Sequence, residues 1–170
     1  MNFVAAELVQ DDGVSAAFAG YKLRLPDETV DAKHGLRSYL GREVILGVRP
    51  SDFEDASLAD AGWPRMRVQA DVTEKLGSEI HIIFTLDTPP VQHPSISKAV
   101  TEEEEDAATV LAGGKSLWTA RVAARSRVRS GQPVELAVNT SNLQFFDPGS
   151  GLSIGHPQAS PALAAEPEPA

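Results

Sequence analysis

Residues 41–53 read GREVILGVRPSDF, and this stretch decides the fold. Val44, Ile45, Leu46 and Val48 form a short apolar run rich in β-branched side chains, which suits a strand buried on both faces rather than a helix. Arg49-Pro50 ends the run, because proline has no N–H for the ladder and pushes its predecessor into extended backbone. Ser51-Asp52 then supplies turn or helix-capping chemistry. A buried strand thereby delivers one arginine and a rigid corner to the surface. Taken alone, the corner reads as a strand, a salt-bridged arginine and a turn, since single arginines usually serve structure or solvation.

Upstream of this strand, residues 2–9 mix apolar and small positions, Asp11-Asp12-Gly13 supplies a turn, and residues 14–25 follow with Gly20 and Pro26 as punctuation. This reads as a hairpin of strands. Residues 27–39 are polar without a helical stripe and read as a loop with room for one turn of helix. Downstream, residues 54–63 form an acidic connection anchored by Trp63. Met66, Val68, Ala70 and Val72 then alternate with Arg67, Gln69 and Asp71, the period of a half-buried strand. A glycine corner at residues 74–79 interrupts the alternation, which Ile80, Ile82, Phe84 and Leu86 resume. Two strands so joined are a hairpin or a bent barrel pair.

Beyond Pro89-Pro90 the character changes, and residues 92–114, with the like-charge block TEEEED at 101–106, read as a mobile acidic insertion. Alternation returns at Trp118, Ala120 and Val122, then a basic turn, ARSRVRSGQP at 124–133, leads to Val134, Leu136 and Val138 in a last clear strand. Leu143, Phe145 and Phe146 run into the turn Asp147-Pro148-Gly149. Residues 154–170 are rich in proline and alanine and are expected to be a disordered tail. Many short strands with glycine and proline corners predict an all-β fold, an OB-fold-like barrel occupying residues 1–153.

At 170 residues and 42% hydrophobic composition the chain can bury one sizeable core, or two small lobes sharing one. Its net charge of -9 and pI near 4.8 argue against a main role in neutralising phosphates or in coating an anionic membrane. Nucleic acid is thus not an expected partner. There is no cysteine, which excludes disulfides, thiolate metal sites and a cysteine nucleophile, and fits a reducing cytoplasm. The start, MNFVAAELVQ, has no basic n-region, so no secretory signal is expected. No run approaches the roughly 20 apolar residues of a membrane span, so work at a membrane would require another subunit as anchor.

The motifs that would carry chemistry fail on spacing. Gly113-Gly114-Lys115-Ser116 resembles the end of a phosphate loop, but Thr109 stands where the motif needs its first glycine. His34, His81, His93 and His156 lack ligand spacing, so no metal site is expected. No G-x-S-x-G elbow accompanies the serine, histidine and aspartate residues. Arg121, Arg125, Arg127 and Arg129 cluster without interleaved aromatics and read as a solvated basic turn rather than a nucleic-acid platform. Asn139-Thr140-Ser141 matters as a sequon only in a secreted protein. Trp63, Trp118, Phe145 and Phe146 read as core. Nothing in these residues supports catalysis by this chain.

In order, MNF, GREVILGVRPSDF, VTEKLGSEIHIIF, ARVAARSRVRSGQPVELAV and NLQFFDPGSGLSI resemble the C-terminal regulatory region of the ATPase subunit of sugar-importing ABC transporters of the maltose and trehalose type. The likeness spans most of residues 1–153. It implies the transport-associated OB domain, named for its shape and not for nucleic acid, in agreement with the acidic charge. The phosphate loop, signature motif and carboxylate pair of that family do not appear, so no cofactor is expected in this chain, with ATP and Mg belonging to the parent subunit. The resemblance implies as partners a second copy of the domain in the ATPase dimer, the nucleotide-binding domain and membrane subunits through the parent chain, and a regulatory protein. It implies a place on the cytoplasmic side of the membrane.

By the same resemblance, contacts would lie at three corners: Gly47, Arg49 and Pro50; Gly77, Ser78 and Glu79; and Phe145, Phe146 and Asp147. Val48 stands for the family's isoleucine, and Ser51-Asp52-Phe53 for its glutamate-histidine-leucine, a departure from the family pattern that falls on any contact at position 51. A non-catalytic regulatory and dimerisation domain is the leading expectation. The alternatives are a small-ligand barrel for a sugar or oxyanion and, from barrel shape alone, a single-stranded nucleic-acid binder.

Overall fold

Strand β4 (Glu43–Val48) is the apolar run of the opening stretch, and it is buried from Val44 to Val48. It lies between β1 (Asn2–Asp11) and β11 (Gln144–Phe146) in a five-stranded antiparallel sheet completed by β2 (Gly13–Phe18) and β3 (Tyr21–Arg24), in the order β11-β4-β1-β2-β3. Neighbours on both edges satisfy its backbone. Val44, Leu46 and Val48 face the core beside Val4 and Ala6 of β1, whereas Ile45 and Gly47 lie on the opposite face under Phe3 and Phe146. The computed structural model describes residues 1–97 and 113–155. The acidic block at 101–106 and most of the expected tail therefore lie outside the described residues.

The remaining strands are β5 (Phe53–Asp55), β6 (Arg65–Ala70), β7 (Val72–Leu76), β8 (Glu79–Leu86), β9 (Ser116–Ala123) and β10 (Gln132–Val138). They pair as β5-β10-β6 and β7-β8-β9. Across the glycine corner the expected pair is a hairpin of β7 and β8 turning at Gly77-Ser78, and the run before it is not one strand but β6 and β7, broken at Asp71. There the backbone turns from β10 to β8, the Asp71 N–H donating to Ile83 O at 2.9 Å and its carboxylate accepting from Thr85 N at 3.2 Å. At the far edge β9 lies beside β5, where Ala123 N donates to Glu54 Oε1 at 3.0 Å. The six strands thus wrap almost fully round, leaving few open edges.

One core serves all three sheets. At its centre Trp118, 1% exposed, packs against Phe18, Phe53 and Phe84, with ring centroids 5.8, 6.2 and 6.1 Å away. These rings come from four elements, so the cluster ties the five-stranded sheet to the barrel.

Four local expectations change. Residues 14–25 are two strands joined at Ala19-Gly20, where both residues take positive φ, so the opening is a three-stranded meander rather than one hairpin. Residues 27–39 hold a helix, α1 (Asp27–Ala32), and a 3-10 turn (Leu36–Tyr39), each anchored by one fully enclosed side chain, Val30 and Leu36, which is too sparse a signal for a stripe. The connection after Phe53 begins as strand β5, which exists because β10 offers it an edge. Ile154, assigned to the tail, is buried, and its N–H donates to Phe145 O at 2.8 Å.

Candidate functional site

The arginine-proline corner has the geometry that its sequence demands. Arg49 is extended, with φ -74° and ψ 144°, and Pro50 opens a 3-10 turn (Pro50–Asp52). Buried Asp52 accepts from Asn142 Nδ2 at 3.0 Å, and its carbonyl accepts from Asn139 N at 2.8 Å, so the corner is locked to the turn preceding β11. Phe53 then enters the aromatic cluster. The salt bridge expected of Arg49 does not form among the described residues: its side chain is exposed and has no acidic partner there.

Arg49, Pro50 and Ser51 form one wall of an open cleft of about 450 Å³. The facing wall is His81 of β8 with Thr119 and Arg121 of β9, and Met1 closes one end. His81 and Arg121 are cross-strand partners, and Thr119 shares the face of Arg121 because side chains alternate along a strand. Asn2 holds the two walls at a set spacing. Its Nδ2 donates to Val48 O at 3.1 Å and to Thr119 O at 2.8 Å, while its Oδ1 accepts from Thr119 N at 2.9 Å.

Glu79 stands behind this cleft. Its Oε1 is 2.9 Å from His81 Nε2 and its Oε2 is 3.6 Å from Arg121 Nε. The His81 hydrogen bond, outweighing partial burial and joined by the Arg121 charge, holds the Glu79 carboxyl below its ordinary range. The first and second predicted corners are therefore linked through His81 and Arg121. Gly77 and Ser78 make the tight turn between β7 and β8, with Gly77 at φ 63°, and Ser78 O accepts from Ala124 N at 3.1 Å; neither lines the cleft.

The third corner divides. Phe145 is fully buried, whereas Phe146 lies on the outer face edge-on to Phe3 at 5.9 Å. Gly47 is tied to this pair: a Cβ there would stand 2.7 Å from Met1 Sδ, 3.2 Å from Phe146 and 3.3 Å from Phe3. Asp147 is occupied with its own turn, its Oδ1 accepting from Ser150 N at 2.7 Å, Ser150 Oγ at 2.9 Å and Gly149 N at 3.0 Å. Its Oδ2 accepts from Tyr39 Oη at 2.8 Å. These hydrogen bonds, Ser150 N–H first and Tyr39 next, hold its pKa down at about 2.

Sequence reading missed Asn2, Thr119 and Tyr39, and saw His81 and Arg121 without connecting them. The outward phase of residues 119, 121 and 81 was visible in the period of two, but their meeting depends on the β8–β9 register. Among the described residues no three His, Asp or Glu side chains converge as a metal ion would require.

Residues 1–53, from β1 to the end of the corner, match the MalK OB fold domain. The chain is 33% identical over 92% of its length to the trehalose import ATP-binding protein SugC of Mycobacterium tuberculosis, and 27% identical over 91% to the trehalose/maltose import ATP-binding protein MalK of Thermococcus litoralis. It is 26% identical over 69% to the oligosaccharides import ATP-binding protein MsmX of Bacillus subtilis. The chain spans only 38%, 34% and 26% of those relatives. The matched segment coincides with the meander and the strand that organise the five-stranded sheet, and this chain carries a MalK-type OB domain.

Proposed function

We propose that this domain is the non-catalytic regulatory and dimerisation part of an ATP-binding subunit of a carbohydrate ABC importer. It would lie on the cytoplasmic side of the membrane through its parent chain, with ATP and Mg handled by the nucleotide-binding domain. The observation that carries this reading is the 33% identity to a trehalose import ATP-binding protein across nearly the whole chain, together with the MalK OB match at residues 1–53.

The outer face of the five-stranded sheet supports the dimerisation part. Met1 is 50% exposed there and sits over Gly47 with the half-buried Phe3 and Phe146, an apolar group whose remaining exposure a second copy would cover. Sedimentation of the chain over a range of concentrations tests this, with a monomer–dimer equilibrium expected and Phe146→Asp shifting it to monomer. A monomer at every concentration would remove the dimerisation role. ATPase assays of a parent subunit with and without the domain test regulation, and equal rates and equal response to transport substrate would remove that role.

A further inference from the structure

The cleft between the arginine-proline corner and β9 has a composition at odds with the rest of the molecule. In a chain of net charge -9 its lining among the described residues contains two arginines, a histidine and two hydroxyl residues, with Glu79 as the one carboxylate reaching those side chains, through His81 and Arg121. Arg49 projects into it with no hydrogen bond or ion pair among the described residues. Arg121 approaches Glu79 only through its Nε edge, at 3.6 Å, so its terminal nitrogens have no hydrogen-bond partner among the described residues.

We infer that this cleft binds a small organic phosphate, a phosphate monoester carried on a body of sugar size. Guanidinium groups present planar forks that match the oxygens of a tetrahedral dianion, and two of them on facing walls can grip it from both sides. Ser51 and Thr119 add hydroxyl donors that orient it, while His81, held by Glu79 through Nε2, shapes the wall between them. The Asn2 clamp sets the distance between the walls before any ligand arrives, which lowers the ordering cost of binding. A volume of about 450 Å³ exceeds what bare phosphate fills, and Met1 with Pro50 offers apolar surface to the uncharged body. The inference gives the small-ligand alternative a location and shares only Met1 with the dimerisation surface; both walls belong to one copy, so a monomeric domain would retain them.

Amide and side-chain NMR of the labelled chain, titrated with glucose 6-phosphate, inorganic phosphate and glucose at matched ionic strength, tests the site. Saturable shifts at Arg49, Ser51, His81, Thr119 and Arg121 are expected with glucose 6-phosphate, weaker binding with inorganic phosphate, and none with glucose. Arg49→Gln and Arg121→Gln should each weaken glucose 6-phosphate about tenfold, the loss of one charge-assisted pair, while the remaining spectrum reports an intact fold. No saturable shift at these residues, or undiminished affinity in the folded double variant, would overturn the site. Inorganic phosphate binding as tightly as glucose 6-phosphate would overturn the assignment of an organic body.

Discussion

At Asp147 four hydrogen bonds converge on one half-buried carboxylate, and the consequence is a pH dependence of known sign. The folded pKa, about 2, lies below the unfolded value near 3.8. The stabilisation is therefore fully present above the unfolded value and disappears as pH falls from about 3.8 through 2. Carboxyl carbon NMR should show a midpoint near 2 for Asp147, and Tyr39→Phe should raise it by removing the second-largest cause. An unchanged midpoint in that variant would show that the hydroxyl does not act on the carboxylate. Gly47 makes a second prediction at this scale. Its backbone would accept alanine, but the added Cβ meets Phe3 and Phe146 at 3.3 and 3.2 Å, so Gly47→Ala should cost about 1 kcal/mol and Gly47→Val about 3 in chemical denaturation. Shortening Met1 as well should recover only part of this, because its flexible sulfur is the easiest neighbour to move.

Among elements, the junction of β1 with β9 depends on a single amide side chain. Asn2 is 8% exposed and serves three backbone groups across strands belonging to different sheets. Asn2→Ala should destabilise the chain by about 2 to 3 kcal/mol, since two carbonyls and an N–H lose their partner in a place water enters poorly. Asn2→Asp should be worse, placing a carboxylate against the carbonyls of Val48 and Thr119. Hydrogen exchange would read the difference at Thr119 N–H. At the other side of the barrel, Asp55 accepts from Ser57 N at 2.9 Å, Ser57 Oγ at 2.7 Å and Ser126 Oγ at 2.5 Å. Burial raises its pKa, yet these hydrogen bonds outweigh burial and hold it low, so the turn after β9 is fastened to β5 by a charged acceptor.

For the whole molecule, the aromatic cluster is where the sheets depend on one another. Trp118→Ala should cost about 3 to 5 kcal/mol and lower the single cooperative transition, and two separated transitions would show that the five-stranded sheet and the barrel fold independently. Much of this architecture was legible from local pattern. The strand at 44–48, the period-two runs at 66–70, 80–86 and 118–122, and the arginine-proline corner follow from side-chain alternation and the missing N–H of proline, which act within a few residues, whereas the same alternation read on to Val72 fails because the chain breaks at Asp71 and leaves Val72 exposed. Strand β5 and helix α1 were illegible because each owes its existence to a distant neighbour: β10 supplies an edge for one, and the common core encloses Val30 for the other. The candidate site divides in the same way. By itself the sequence determined an all-β chain with a charged corner at Arg49. Only the tertiary structure decided that Arg49 would have no acid beside it among the described residues and would face Arg121 and His81 across a cleft spaced by Asn2. Register and sheet-to-sheet packing join residues more than 100 positions apart, and no local periodicity encodes which strands will meet.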